Sequence, residues 1–180
     1  MDSKENIKDL FIRQNEYFQY LYEQEQKRAM SIIAGAKIYI AFLVFILGSI
    51  LLKVISADKI IALFNNGSIP QWEVILGISL SVLSAIALSI ALIFSILVMK
   101  VWSYDRLCNP VERFRDTLYM NNEIEVLSKS ISDFAVATHR NNEINNKRAR
   151  YLSYALGFLL IGMVLALITA TTLNFIIQGG

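Results

Sequence analysis

The sequence predicts an all-α fold: a three-span transmembrane helical bundle with amphipathic cytoplasmic helices at its N-terminus and centre. Three observations predict it. The chain has 180 residues, 55% of them hydrophobic, with mean hydropathy +0.47, above the usual ~45–50% apolar content of a soluble domain. That excess is gathered into three long apolar runs separated by charged stretches, as membrane spans require. Lysine and arginine are divided among the polar segments in alternation, which a three-span topology explains.

Residues 1–37 read as a cytoplasmic amphipathic helix. Ile7, Leu10, Phe11, Phe18 and Leu21 recur at helical spacing, with Tyr17 between, while Lys8, Arg13, Glu16, Glu23 and Lys27 fall on the other face. No Pro or Gly occurs before Gly35, so the helix is expected to run unbroken into the first span, residues 38–56. That span has an uncharged centre. Lys37 and Tyr39 stand at one interface, and Lys53 near the other can extend its ammonium to water. The first thirty residues are charged and Gln-rich and hold no signal-peptide h-region, so the first span is expected to act as an uncleaved anchor.

Residues 57–71 form the external connection. Asn65, Asn66 and Gly67 signal a turn and Pro70 follows, with Ile60, Ile61, Leu63 and Phe64 marking a short interfacial helix. The second span, residues 72–102, is bracketed by Trp72 and Trp102. At ~1.5 Å rise per residue it exceeds a hydrocarbon core of ~30 Å, so it tilts or projects into the cytoplasm. Residues 103–150 are the cytoplasmic helical block. Pro110 suits the first turn of a helix carrying Val111, Phe114 and Leu118. A second helix carries Ile124, Leu127, Ile131 and Phe134 and can continue into the third span, residues 151–177, leaving residues 178–180 as an external tail.

Residues 1–37 carry six Lys and Arg and residues 100–150 carry nine, against two around the first connection and none in the tail. The positive-inside rule then places the N-terminus and the 103–150 block in the cytoplasm and the C-terminus outside. A multi-pass protein of the inner membrane is expected.

No catalytic, cofactor-binding or metal-binding residue is predicted. The sequence has a single His, His139, and a single Cys, Cys108, too few for the usual zinc ligand set. Neither a P-loop nor a GxSxG elbow occurs. A net charge of +2 gives no reason to expect nucleic acid. The span interiors lack Asp, Glu, Arg, His and Pro at mid-depth, which argues against proton relays and the broken helices of transporters.

Two features remain. Gly77, Ser81, Ala85 and Ser89 recur every four residues in the second span beside a row of Ala87, Ala91 and Ser95, and Gly162, Ala166 and Ala170 do so in the third. Small residues let helices approach closely in lipid. These rows either pack the spans of one monomer or join subunits, and a ring lined by hydroxyls would make a weakly polar channel. The second feature is a pair of polar segments, each ending in a Lys-Arg-Ala anchor before a span. Tyr22, Glu23, Glu25 and Arg28 belong to one; His139, Asn142, Asn145 and Lys147 belong to the other. Two such helices can pair, with Glu23 and Glu25 facing Arg140, Lys147 or Arg148, or the basic residues can serve only to set topology beside anionic lipid.

These segments resemble the small multi-span membrane effectors of bacterial anti-phage defence systems. Leu21-Tyr22-Glu23, Glu25 and Lys27-Arg28-Ala29 look like their first helix; His139, Asn142, Asn145 and Lys147 to Ala149 look like their last. The likeness covers about forty of the 180 residues and does not include the Asp-Thr-Lys-Ala element of the cyclic-pyrimidine-sensing subgroup. It implies a protein that oligomerises and permeabilises the bacterial inner membrane when triggered by a cytoplasmic sensor protein or signal. The alternatives are a membrane adaptor or immunity-type protein whose cytoplasmic helices bind a protein partner, and a holin-like protein.

Overall fold

The computed structural model describes residues 2–55, 71–100 and 122–179. They form three α-helices: α1, Asp2–Ile55; α2, Gln71–Met99; and α3, Glu123–Gly179. Each is long and apolar enough to cross a membrane, so this is a multi-pass membrane protein. The expected interfacial helix around Ile60, the helix after Pro110, Trp102 and Cys108 lie outside the described residues.

The uninterrupted first helix is observed. α1 runs from the polar N-terminal segment through the whole first apolar run, because neither Pro nor a Gly-rich turn halts propagation of its hydrogen bonds. α3 likewise joins its polar half to the third apolar run without a break. Its start is capped by Asn122, whose Oδ1 accepts from the Ile124 N–H at 3.1 Å. Glu123 and Glu125 in the first turn face the positive end of the helix dipole. α2 is described through Met99 and α3 through Gly179; no residue of α3 before the glycine pair breaks the helix.

The chain divides into two compact units. One comprises Met1–Ile33 with Lys100–Ala149, the other Ala34–Met99 with Arg150–Gly180. In the first unit the α1 and α3 segments run parallel: Lys8 pairs with Glu123, Tyr22 packs on Phe134, and Arg28 reaches Asn142 and Asn146. In the second unit α1 and α3 are again parallel, with Gly35 against Leu152 and Leu43 clustered with Leu159. There α2 runs the other way, since Ser84 meets Gly162 while Phe94 meets Tyr151 and Tyr154.

Burial follows a repeat of seven, not four. On α1 the buried positions are Tyr22, Ala29, Ala36 and Leu43, each seven residues after the last. On α2 the buried positions Ser84, Leu88, Ala91, Ser95 and Val98 alternate steps of four and three, with Gly77 seven residues before Ser84 and Ala87 buried beside Leu88. This is the seam of left-handed helix packing, in which a repeat of ~3.5 residues keeps one stripe against its neighbour. The core of the second unit is Leu43, Leu88, Ala91 and Leu159, with Ile46, Leu47, Leu92 and Phe158 against it.

Candidate functional site

The seam explains which small residues pack. A row of every fourth residue advances ~400° per step and so drifts ~40° each time around the helix. Gly77 is buried, Ser81 and Ala85 are half-buried, and Ser89 is exposed. The same drift takes Gly162, buried, through Ala166, half-buried, to Ala170, exposed. Neither row packs as a unit within the chain. Ala87, Ala91 and Ser95, the neighbouring row, are all buried.

Gly162 marks the closest approach of α2 and α3. A Cβ there would stand 2.7 Å from both Cγ and Cδ2 of Leu88 and 3.3 Å from the Leu88 backbone nitrogen. The absent side chain lets Ser84 Oγ donate to the Gly162 carbonyl at 2.9 Å, a buried hydrogen bond between helices. Other span hydroxyls turn inward on their own helix. Ser95 donates to the Ala91 carbonyl and Thr169 to the Leu165 carbonyl, which satisfies them where no water competes. Gly48 and Gly157 are the opposite case: both are exposed, and nothing lies within 4 Å of where a Cβ would be.

The first unit holds the polar chemistry. Asn141 and Asn145 are fully buried and Arg148 is nearly so. The amide nitrogen of Asn145 donates to the Glu25 backbone carbonyl at 2.9 Å and to Glu25 Oε2 at 2.8 Å. Its Oδ1, also buried, has no partner. Arg28 forks across α3: Nη1 donates to Asn142 Oδ1 at 3.1 Å and Nη2 to Asn146 Oδ1 at 2.8 Å. The same guanidinium lies 3.5 Å from Glu25 Oε1, and Asn146 donates to Asn142 Oδ1 at 3.2 Å. Beside this layer an apolar cluster joins Tyr22, Phe134 and Ala137, with Phe18 against it. The Tyr22 and Phe134 rings meet edge to face, centroids 5.7 Å apart.

No known protein family, characterised protein or solved structure matches this chain.

Of the polar residues singled out from the sequence, Tyr22, Glu25, Arg28, Asn142 and Asn145 meet across the two helices. Glu23 is exposed and accepts from Gln19 of its own helix at 3.4 Å, while His139 is exposed beside Glu143 at 3.5 Å. Lys147 is exposed on α3. Asn146 and Asn141 were not among those residues, although the doubled Asn pair at 141–142 and 145–146 was the signal for them. At the start of the unit, a hydrogen bond and the opposite charge of Glu123 hold the Lys8 ammonium above its ordinary pKa, and Lys8 holds Glu123 below its own. Among the described residues no group of His, Cys, Asp and Glu could hold a metal ion.

What the arrangement can do is fix the alignment of two helices. A layer of amides, a carboxylate and a guanidinium inside a helix pair specifies alignment, because any other alignment leaves those groups desolvated without partners.

Proposed function

We propose that this chain is a membrane-embedded effector that self-associates through its spans and permeabilises the bacterial inner membrane, with its paired polar helices in the cytoplasm receiving the trigger. The observation that carries the reading is the pair of open glycines. Gly48 and Gly157 lie in apolar helices, exposed, with no atom close enough to touch a Cβ. A glycine in such a place weakens its helix by about 1 kcal/mol relative to alanine, and in lipid its main return is close approach by another helix. Among the described residues no helix makes that approach, whereas Gly162 is filled by Leu88. A second copy of the chain supplies it. Exposed Ser89, Ala170 and Thr171 offer further small or hydroxylated contacts to such a copy.

The distribution of Lys and Arg supports the cytoplasmic placement of the first unit, and the resemblance to anti-phage effectors supports infection as the source of the trigger. Because α1 and α3 pass unbroken from the polar segments into apolar ones, a change in their pairing has a direct route to the spans.

The test is induction in cells with a membrane-potential dye, alongside Gly48→Leu and Gly157→Leu. Depolarisation by the native chain and its loss in both variants, with monomer folding retained, is the expected result. A culture that stays polarised and growing under triggered expression would sink the proposal.

A second reading has one observation in its favour. Ile7, Leu10, Tyr17 and Tyr20 are exposed on α1, a face that an adaptor or immunity-type protein would offer to a protein partner. It predicts a stoichiometric complex on pull-down and intact membrane potential.

A further inference from the structure

α1 has a second face. Within the first unit its buried positions are Tyr22 and Ala29. Two and five residues before Tyr22 stand Tyr20 and Tyr17, and the same offsets from Ala29 give Lys27 and Gln24. One repeat earlier the two positions hold Arg13 and Leu10. At about 100° per residue they straddle the line opposite the buried seam. All six are exposed, Leu10 and Tyr20 at 56% and Tyr17 at 58%. Apolar and aromatic surface gathered on one side of a polar helix marks a protein contact.

The same two positions continue towards the far end of α1. Before Ala36 and Leu43 they hold Ser31 and Ala34, then Ile38 and Ala41. Phe45 and Gly48 follow one repeat on, and every one of these is exposed. Ile38 reaches 67% and Phe45 73%. In the apolar half, small residues at one position and large ones at the other let a second helix come close and interlock.

Three observations fix the occupant. α1 passes without a break from a polar segment into an apolar one, so a helix that follows this strip does the same. Among the described residues only α1 and α3 do so. In the first unit α3 offers no match, because the positions two before its buried Phe134, Asn141, Asn145 and Arg148 are exposed and polar: Ser132, His139, Glu143 and Asn146. Charge is the third. Exposed Asp9, Glu16 and Glu23 recur every seven residues along one edge of the strip, and Arg13 and Lys27 lie within it. Two copies inserted the same way hold their α1 helices parallel. Each acidic edge then borders the other copy's strip and gives its Arg13 and Lys27 carboxylates to face. From Leu10 to Gly48 the strip is roughly 60 Å long and about 10 Å wide, of the order of the ~800 Å² per partner that a stable pair buries.

We propose that two copies of this chain pair in parallel through the Leu10–Gly48 face of α1, each residue meeting its own counterpart across a two-fold axis. The inference rests on the self-association read above, names its face and extends it into the polar segment. It is independent of permeabilisation.

Single cysteines in the full chain, in a Cys108→Ser background, read the face when membranes are treated with copper phenanthroline. Tyr17→Cys, Gln24→Cys, Ala34→Cys and Ala41→Cys lie on the strip. Gln19→Cys is exposed but more than about 90° around the helix. Disulfide-linked dimer is expected at the strip positions, several-fold above Gln19→Cys. Tyr17→Glu should cut the Gln24→Cys product by more than about tenfold, because it sets like charges opposite one another, while Gln19→Glu should leave it unchanged. Strip cross-links in cells that keep their membrane potential uphold the face and count against permeabilisation alone. Equal cross-linking of Gln19→Cys, or none on the strip, overturns the proposal. Cross-linking of Gly157→Cys with none on the strip overturns this face and leaves self-association standing. A soluble protein captured in place of the α1–α1 product gives the face to an adaptor's partner and also overturns it.

Discussion

Gly162→Ala tests the packing of the apolar bundle most sharply, because a single methyl group opposes two calculable effects. On an isolated helix the change is favourable by about 1 kcal/mol, since glycine loses more backbone freedom on ordering than alanine. Here the new Cβ would lie 2.7 Å from Leu88 Cγ and Cδ2 and 3.3 Å from the Leu88 backbone nitrogen. The Leu88 side chain cannot swing away freely. It is fully buried, packed with Leu43, Ala91 and Leu159, and its Cγ is not the mobile end of a long chain. Relief therefore requires α2 and α3 to separate, and overpacking of that kind costs about 1–3 kcal/mol. Separation also lengthens the Ser84–Gly162 hydrogen bond, worth about 0.6 kcal/mol between helices in lipid. With the propensity gain subtracted, the expected net loss is about 1–2 kcal/mol. The assay is reversible unfolding in mixed micelles, with Gly157→Ala as the control. That position has open space around it and should gain up to about 1 kcal/mol. Leu88→Ala combined with Gly162→Ala should show a coupling above ~1 kcal/mol, since the smaller side chain removes the collision. Should Gly162→Ala stabilise the protein as much as Gly157→Ala does, the wedge of Leu88 against α3 is not real.

Three further outcomes follow from the same geometry. Ser84→Ala should cost about 0.6 kcal/mol in that assay, and Ser95→Ala less, because the Ser95 hydroxyl bonds only within its own helix. Arg28→Lys should loosen the α1–α3 pair almost as much as Arg28→Ala, since an ammonium cannot span two acceptors one turn apart as the guanidinium fork does; spin-label distances between residues 24 and 143 would show it. The Lys8–Glu123 contact sets a pH window. Glu123 is held below its ordinary pKa, so its contribution is full above that ordinary value and disappears as pH falls through the lowered one. Lys8 is held above its ordinary pKa, so its contribution is full below that value and disappears as pH rises through the raised one. Labels at Asp9 and Ser128 should therefore separate at both acid and alkaline extremes. In Lys8→Gln, which lacks the pair, they should not respond.

Much of the architecture was legible in the chain itself. Three apolar runs of span length require helices, since hydrocarbon offers no partner for an unpaired backbone group. With three spans in alternation, the first and third must run in the same direction, and α1 and α3 do. The lack of helix breakers between the first polar segment and its span likewise announced one long helix. The candidate site was legible only in part. Glu25, Arg28, Asn142 and Asn145 stood out by type and position, but nothing in one strand of sequence ranks Glu25 over Glu23 as the residue turned toward the partner.

What the tertiary structure alone decided is which face of each helix meets another. A helix shows every residue on some face, and rows of small residues at spacings of four look as promising as the true seam until the partner's position is known. The seam runs at about 3.5 residues per turn because two helices stay in contact only if their contact stripe does not wind away. That geometry separates Gly162, pressed against Leu88, from Gly48 and Gly157, which stand open. It also places Asn145, not its exposed neighbour Asn146, in the buried layer between the two helices.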